Sequence, residues 1–253
     1  MPEYTGRPSE GEGISLFMPA FNEEQNVAFM IGCARNALDA LGVPWEIVIV
    51  DDGSSDGTVR ETMAATVGDE RIRVVSHGAN RGFGMALRTG IESARMPWVF
   101  YTDCDGQFDL DDLGRVWAER VDADVVSAYR RRRRDPGLRL VYSFCYNLIA
   151  WIVFFGGFKD VDCSFKLYRR SIFEKVKPRS TCGVIDLEIL TLARGFGFRI
   201  RQIPVLHRER RAGTVSFETF RKGFFAWVRI GALTEMLEQL FALRVRTWRG
   251  DVG

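Results

Sequence analysis

The sequence predicts an α/β fold with a mostly parallel central sheet and helices on both of its faces. First, short runs of apolar and β-branched residues alternate with segments in which apolar residues recur at helical spacing. Second, polar or glycine-rich turns follow these runs. Third, the chain has 253 residues, of which 46% are hydrophobic, and this is enough to form the core of one large domain.

The first half of the chain repeats a unit of strand, loop and helix. Residues 14–18 form an apolar run that ends at Pro19, and residues 45–50 form a continuous run rich in β-branched side chains. The predicted strands are 14–18, 45–50, 72–76 and 98–102, and the predicted helices are 22–40, 58–67, 85–95 and 111–120. The carboxyl ends of parallel strands share one edge of a sheet, and ligands bind at that edge.

The second half of the chain has a different character. Five consecutive arginines, residues 130–134, precede an aromatic-rich stretch that ends in a polar turn at residues 160–164. A late strand is predicted at residues 203–206 and a pair of amphipathic helices at residues 217–248. We therefore divide the chain into a disordered tail over residues 1–13, one large domain over residues 14–216 and C-terminal helices over residues 217–253.

The charge, cysteine and histidine content argues against a nucleic-acid-binding protein, a disulfide-bonded protein and a zinc-binding protein. The 35 basic and 33 acidic residues give a net charge of +2, and one arginine run is a small footprint, so no nucleic-acid partner is predicted. The five cysteines are scattered singly, which is typical of a reduced, cytosolic protein without a disulfide framework. With two histidines, the chain lacks the ligand spacing of a structural zinc site.

Acidic residues follow two of the predicted strands. Asp103 and Asp105, with Gln107, come directly after the fourth strand, and their oxygens suit Mg²⁺ or Mn²⁺. Such residues also occur in ordinary turns, which is the alternative interpretation. However, Asp51 and Asp52 end the second strand, and like charges gathered on one edge repel each other unless a cation offsets them. The pair of acidic turns therefore favours a cation site.

Five short motifs occur in a fixed order within residues 14–216. They are Met18-Pro19-Ala20-Phe21-Asn22-Glu23-Glu24, Val50-Asp51-Asp52-Gly53-Ser54, Asn80-Arg81-Gly82-Phe83-Gly84, Asp103-Cys104-Asp105-Gly106-Gln107-Phe108-Asp109 and Asp160-Val161-Asp162-Cys163-Ser164-Phe165-Lys166-Leu167-Tyr168-Arg169-Arg170. In this order they resemble the family-2 glycosyltransferases, specifically the branch of dolichol-phosphate mannose synthase and bacterial polyprenyl-phosphate glycosyltransferases. The resemblance implies the Rossmann-like A-type glycosyltransferase fold and makes residues 14–216 the catalytic domain.

The resemblance also implies roles for individual residues. Asp103, Asp105 and Gln107 would hold Mg²⁺ or Mn²⁺ together with the donor diphosphate, and Asp52 would contact the base or ribose. Arg130, Lys166 and Arg210 would face phosphates, and Arg210 lies in the segment that resembles the family's basic loop. The implied donor-binding residues are Pro19, Ala20, Asn22, Glu23, Asp51, Asp52, Gly82, Asp103, Cys104, Asp105 and Arg211.

The implied activity is an inverting transfer of a hexose from GDP-mannose or a UDP-hexose to a polyprenyl phosphate. Such an acceptor is already an anionic nucleophile, so the reaction needs little help from a general base. A neutral, soluble hydroxyl acceptor would instead need a base, for which Asp186 and Glu188 are the candidates. These two residues could equally be an exposed pair at the start of a helix.

Two segments suggest contact with a membrane. Residues 140–155 are almost entirely apolar and follow the arginine run, which suits a helix lying on anionic lipid, although a buried core helix has the same pattern. The aromatic and basic residues in 217–229 would fit either a membrane surface or a homodimer contact. We therefore expect a cytoplasmic protein, peripheral at the inner face of the membrane.

Overall fold

A computed structural model describes residues 12–131, 157–213 and 230–249, and in the last segment it describes the side chains of residues 236–247. Its strands are β1 (Ile14–Ala20), β2 (Trp45–Asp51), β3 (Ile72–Ser76), β4 (Trp98–Thr102), β5 (Val125–Arg130), β6 (Phe165–Arg169) and β7 (Ile200–Val205). Its α-helices are α1 (Val27–Leu41), α2 (Thr58–Thr66), α3 (Phe83–Ser93), α4 (Leu113–Ala118), α5 (Val184–Gly195) and α6 (Ile230–Arg249). Short 3₁₀ turns occupy Leu110–Asp112, Glu119–Asp122 and Arg170–Glu174.

The seven strands form one sheet in the order β3-β2-β1-β4-β6-β5-β7. β1 pairs in parallel with β2 and β4, β2 with β3, and β5 with β7. β6 is antiparallel to both of its neighbours, β4 and β5. The predicted α/β class with a mostly parallel sheet is therefore confirmed, and the carboxyl ends of β3, β2, β1 and β4 lie along one edge.

Helices cover both faces of the sheet because successive strand residues point to opposite sides. Leu16 and Met18 of β1 lie in a buried cluster with Met30 of α1. Phe17, between them, lies in the cluster on the other face with Leu87 of α3 and Ile189 of α5. The strands therefore read as continuous apolar runs, as expected for a sheet buried on both faces.

The structure differs from the sequence-based prediction at the first helix and at two strands, β5 and β6, that were not predicted. The first helix begins at Val27 rather than at residue 22, because Asn22 has a φ of 57° and starts a turn instead. No strand was predicted at Val125–Arg130, which forms β5, or at Phe165–Arg169, where β6 pairs with Thr102 and Ser127. A short apolar segment between a polar turn and two arginines gives a weak strand signal.

Several predictions fall partly or wholly outside the described residues. These are the tail over residues 1–13, the arginines at 132–134, the apolar segment at 140–155 and the aromatic segment at 217–229. The proposed division of the chain and the homodimer contact remain predictions. Within the described ranges, no helix is both long enough and apolar enough to cross a membrane.

Candidate functional site

The two acidic turns lie on the same edge of the sheet. Asp51 is the partner of Ala20 in the β1–β2 register, and β4 pairs with the opposite side of β1. Neighbouring strands are about 4.8 Å apart, so the ends of β2 and β4 are separated by about 10 Å. The loops that follow β1, β2 and β4 are therefore close enough to surround one ligand.

Asp52 is the centre of a network that shapes the loop after β3. Its Oδ1 accepts a hydrogen bond from the backbone N–H of Arg81 at 2.8 Å, and its Oδ2 accepts one from Gly82 at 2.9 Å. Nδ1 of His77 lies 2.7 Å from Oδ1, and Nε2 of His77 lies 2.9 Å from the hydroxyl of Thr89. His77 was not among the predicted site residues, although its position directly after β3 on the ligand-binding edge indicates one.

Asp51 and Asn22 fix the neighbouring turn. Asp51 accepts hydrogen bonds from the Ser54 N–H at 3.0 Å and from the Ser76 hydroxyl at 2.8 Å. Asn22 accepts one from the Ser55 N–H at 2.9 Å. These side-chain oxygens order the rim of the site, and their contact with a donor remains a prediction.

The other implied donor-binding residues lie close by. Pro19 and Ala20 end β1, and the Ala20 carbonyl accepts a hydrogen bond from the Asp52 N–H at 2.9 Å. Cys104 is buried in the core, and burial raises the pKa of its thiol well above the ordinary value. This thiol therefore packs as a small apolar group, so Cys104 can contribute only its backbone to a ligand.

Arg210 joins acidic residues from two different loops. Its guanidinium donates to Oδ2 of Asp105 at 3.2 Å and forms an ion pair with Glu23, and its Nε donates to the Ala212 carbonyl at 2.9 Å. Burial raises the pKa of Glu23, while hydrogen bonds from Asn26 and Arg210 oppose the rise. The loops after β1 and β4 therefore both contact the guanidinium group of Arg210.

The segment around Arg210 lies against the acidic loop after β4. The Arg208 N–H donates to the Gln107 carbonyl at 2.7 Å, and the Arg211 N–H donates to the Asp105 carbonyl at 3.3 Å. In return, the Gln107 amide donates to the Arg208 carbonyl at 3.3 Å. Backbone hydrogen bonds thus hold basic residues 208–211 over the acidic ones.

Arg211 reaches across to the loop after β1. Its guanidinium donates to the Gln25 carbonyl at 2.9 Å and lies 4.2 Å from the centre of the Phe29 ring. Arg210 and Arg211 therefore bring positive charge to the edge where the acidic residues gather.

The residues after β4 have the right chemistry for a hard divalent cation. Asp103 is partly exposed, whereas Asp105 and Gln107 are each 6% exposed, and carboxylate and amide oxygens are ligands that Mg²⁺ and Mn²⁺ accept. The described residues include no group of three or more histidine, cysteine or acidic side chains arranged around a common point. Instead, the positive charge next to Asp105 comes from Arg210. The oxygen atoms of Asp103, Asp105 and Gln107 therefore fit a divalent cation by their chemistry.

Two predicted phosphate-facing cations are engaged inside the protein. Arg130 forms a two-point ion pair with Asp160, with N···O distances of 2.6 Å and 2.7 Å. Burial lowers the pKa of Arg130, but the hydrogen bonds to Asp160 outweigh this and raise it. Lys166 is 0% exposed, and its ammonium donates to Asp186 at 2.7 Å and to the Val161 carbonyl at 2.9 Å. Both charges have buried partners in this structure, and a role for these two residues in facing phosphates stays a prediction.

Asp186 and Glu188 are buried rather than exposed, so the interpretation as an exposed pair is wrong. Asp186 is 2% exposed, and it accepts hydrogen bonds from Lys166 and from the Tyr101 hydroxyl. Glu188 is 0% exposed and accepts hydrogen bonds from the N–H groups of Arg179 at 2.9 Å and Ser180 at 2.7 Å. Both carboxylates accept hydrogen bonds from buried or partly buried partners, and a role for either of them as a base stays a prediction.

Comparison with known proteins gives a family match over most of the chain. The family model described as glycosyl transferase family 2 matches residues 15–177. Dodecaprenyl-phosphate galacturonate synthase from Rhizobium johnstonii is 28% identical over 263 aligned positions, which cover 97% of this chain and 72% of that protein. Undecaprenyl-phosphate 4-deoxy-4-formamido-L-arabinose transferase from Salmonella typhimurium is 28% identical over 211 positions, which cover 82% of this chain and 63% of that protein.

Solved structures share the fold. Glucosyl-3-phosphoglycerate synthase from Mycobacterium tuberculosis, in complex with Mn²⁺ and UDP-glucose, superposes with a TM-score of 0.69. The match covers 94% of this chain and 84% of that one, at 18% sequence identity. At this level of identity the likeness extends to the fold alone.

Proposed function

The chain belongs to glycosyl transferase family 2, and from that premise we propose that it transfers a sugar from a nucleotide-sugar donor to a polyprenyl phosphate. One observation supports the nucleotide-sugar part of the proposal. Glu23 and Asp105, from the loops after β1 and β4, lie at the same edge of the sheet, and both form ion pairs with Arg210. The acceptor half is supported by the two relatives whose names specify polyprenyl phosphates.

On the donor side, the reaction needs positive charge to offset the nucleoside diphosphate as it leaves. Asp103, Asp105 and Gln107 would hold Mg²⁺ or Mn²⁺, which would neutralise charge on the diphosphate when it is bound. Arg210 and Arg211 would add two further cations from the segment lying over this loop. Asp52, through its bonds to residues 81 and 82, would keep the nucleoside side of the edge in a fixed shape.

On the acceptor side, a phosphate monoester is largely ionised near neutral pH, so no proton has to be removed from the nucleophile. An oxygen of the polyprenyl phosphate would form a bond to the anomeric carbon while the bond to the donor diphosphate breaks on the opposite side. The configuration at that carbon would therefore invert. The burial of Asp186 and Glu188 supports this acceptor over a neutral hydroxyl, which would need a carboxylate base within reach.

The acceptor class implies a place of action. A polyprenyl chain is confined to a bilayer, so the protein must meet its acceptor at a membrane surface. We propose that it does so as a peripheral protein at the cytoplasmic face. A soluble sugar or natural product remains the alternative acceptor. An assay of nucleoside diphosphate release distinguishes it from a polyprenyl phosphate.

The release of nucleoside diphosphate tests the proposal. With a panel of GDP- and UDP-sugars, we expect release only when a short polyprenyl phosphate and Mn²⁺ or Mg²⁺ are both present, and mass spectrometry should detect the glycosylated lipid phosphate. Chelation with EDTA should abolish release, and added Mn²⁺ should restore it. Equal release with the unphosphorylated polyprenol, or with a soluble saccharide alone, would instead support the alternative acceptor.

Replacing Arg210 tests whether this residue competes with the cation for Asp105. In Arg210→Gln we expect Mn²⁺ to bind the ligand-free protein at least about tenfold more tightly, because hydrogen bonds between charged groups contribute about 1.5–3 kcal/mol. Turnover should nevertheless fall, because a charge that offsets the diphosphate is lost. Electron paramagnetic resonance of free Mn²⁺ measures the affinity directly. Unchanged Mn²⁺ affinity would contradict the competition.

A further inference from the structure

Helix α6 packs against α5 and against residues 179–182, which precede α5. Leu240 and Leu243 are 3% and 2% exposed, and they lie in one cluster with Val161, Val184 and Leu187. Burial of two leucines against these residues contributes apolar contact of the kind that holds a helix in place. α6 is therefore docked on the domain.

Polar contacts from α6 hold residues 179–182. The side-chain Oε1 of Gln239 accepts a hydrogen bond from the Thr181 N–H at 3.0 Å, and its Nε2 donates to the Thr181 hydroxyl at 2.8 Å. Arg246 forms an ion pair with Glu188, whose other oxygen accepts the hydrogen bonds from residues 179 and 180. Gln239 thus contacts residues 179–182 directly, whereas Arg246 acts on them through Glu188.

The opposite side of Thr181 supports the glycine loop at the start of α3. The Thr181 carbonyl accepts a hydrogen bond from the Gly84 N–H at 3.0 Å. A Cβ at Gly84 would lie 2.4 Å from the Thr181 carbonyl carbon, so only glycine permits this approach. Gly82 has a φ of 91° and donates to Asp52. Thr181 therefore supports the loop that holds the Asp52 carboxylate.

These contacts form one continuous chain from α6 to the sheet edge: Gln239 to Thr181, Thr181 to Gly84, and Gly82 to Asp52. We infer that α6 positions the donor-binding edge, and that Gln239 is the positioning residue through which it acts. The inference rests on the proposed function, because it takes the edge near Asp52 as the donor site. Gln239 itself touches no reacting atom. Its effect should therefore appear in donor affinity more than in the chemical step.

Gln239→Leu removes both hydrogen bonds to Thr181, whereas Gln239→Glu keeps an acceptor to which the Thr181 N–H and hydroxyl can donate. Glu238→Gln, at the exposed neighbouring position on the same helix, is the matched control. For Gln239→Leu we expect the KM for the donor and the Kd for GDP or UDP with Mn²⁺ to rise about tenfold, with kcat nearly unchanged. Amide exchange at residues 81–84 should become faster. Gln239→Glu and Glu238→Gln should resemble the wild type in all of these measurements.

Unchanged donor affinity and unchanged exchange at residues 81–84 in Gln239→Leu would overturn the inference. A uniform rise in exchange over the whole chain would also overturn it, because that result would mean a general loss of stability. If Gln239→Leu fails to fold, Thr181→Val removes only the hydroxyl contact and should weaken donor binding about threefold. If the wild type binds neither GDP nor UDP, the proposed function fails instead. Amide hydrogen exchange at residues 81–84 in Gln239→Leu would then still show whether Gln239 stabilises the glycine loop before α3.

Discussion

Replacing Asp105 with alanine should lower turnover by about three orders of magnitude or more while the protein stays folded, because a lost metal ligand removes several kcal/mol of transition-state stabilisation. Asp105 is 6% exposed and is the residue at which the proposed cation and Arg210 meet. The fold should persist because Arg210 keeps its contacts with Glu23 and the Ala212 carbonyl. Steady-state release of nucleoside diphosphate measures the loss, and circular dichroism checks the fold.

The matched control is Asp111→Ala, which removes an exposed carboxylate from the same acidic stretch. Substitutions at such exposed positions change free energies by about 0.5 kcal/mol or less, so turnover should stay within about twofold of the wild type. Mn²⁺ binding should be lost in Asp105→Ala and retained in Asp111→Ala. A wild-type rate in Asp105→Ala would refute the assignment of the cation to this loop.

Replacing Lys166 with methionine should destabilise the protein by about 3–5 kcal/mol, because it leaves the Asp186 carboxylate buried without its counter-charge. Lys166 is 0% exposed and also donates to the hydroxyl of Tyr101 on β4. The lost contacts therefore lie in the interior of the sheet, between β4, β6 and α5. Urea unfolding monitored by tryptophan fluorescence gives the difference in free energy.

A second substitution tests the cause of this loss. In Lys166→Met/Asp186→Asn neither member of this pair is charged, so most of the stability should return. Lys175→Met, at an exposed position near the end of β6, should leave the unfolding midpoint unchanged. If Lys166→Met unfolds at the wild-type midpoint, the buried ion pair does not stabilise the fold.

Local pattern predicted the framework of the molecule but not the partners of its charged residues. The parallel strands β1 to β4 could be predicted because a sheet buried on both faces requires continuous apolar runs. By contrast, the partners of Arg130 and Lys166 lie at Asp160 and Asp186, and no local pattern links positions so far apart. The sequence therefore predicted a role for these two charges but not the carboxylates with which they pair.

The same limit applies to the first loop and to α5. The apolar spacing that predicted a helix from residue 22 continues through the turn, but it carries no information about the left-handed conformation of Asn22. That conformation depends on contacts with Ser54 and Ser55 in another loop. One of the two interpretations of Asp186 and Glu188 placed them at an exposed helix start because they are charged, yet donors from α6 and β6 make their burial possible.

The reversed direction of β6 has a consequence for how this protein could diversify. Because β6 is antiparallel to β4 and β5, the end of β5 and the start of β6 lie at the same edge of the sheet as the end of β4. The Arg130–Asp160 ion pair fastens the two ends of the intervening stretch together. Closing a loop of twice the length costs only about 0.6 kcal/mol more. Insertions or deletions between Arg130 and Asp160 could therefore accumulate at a small cost in free energy, without changing the pairing of β4, β5 and β6.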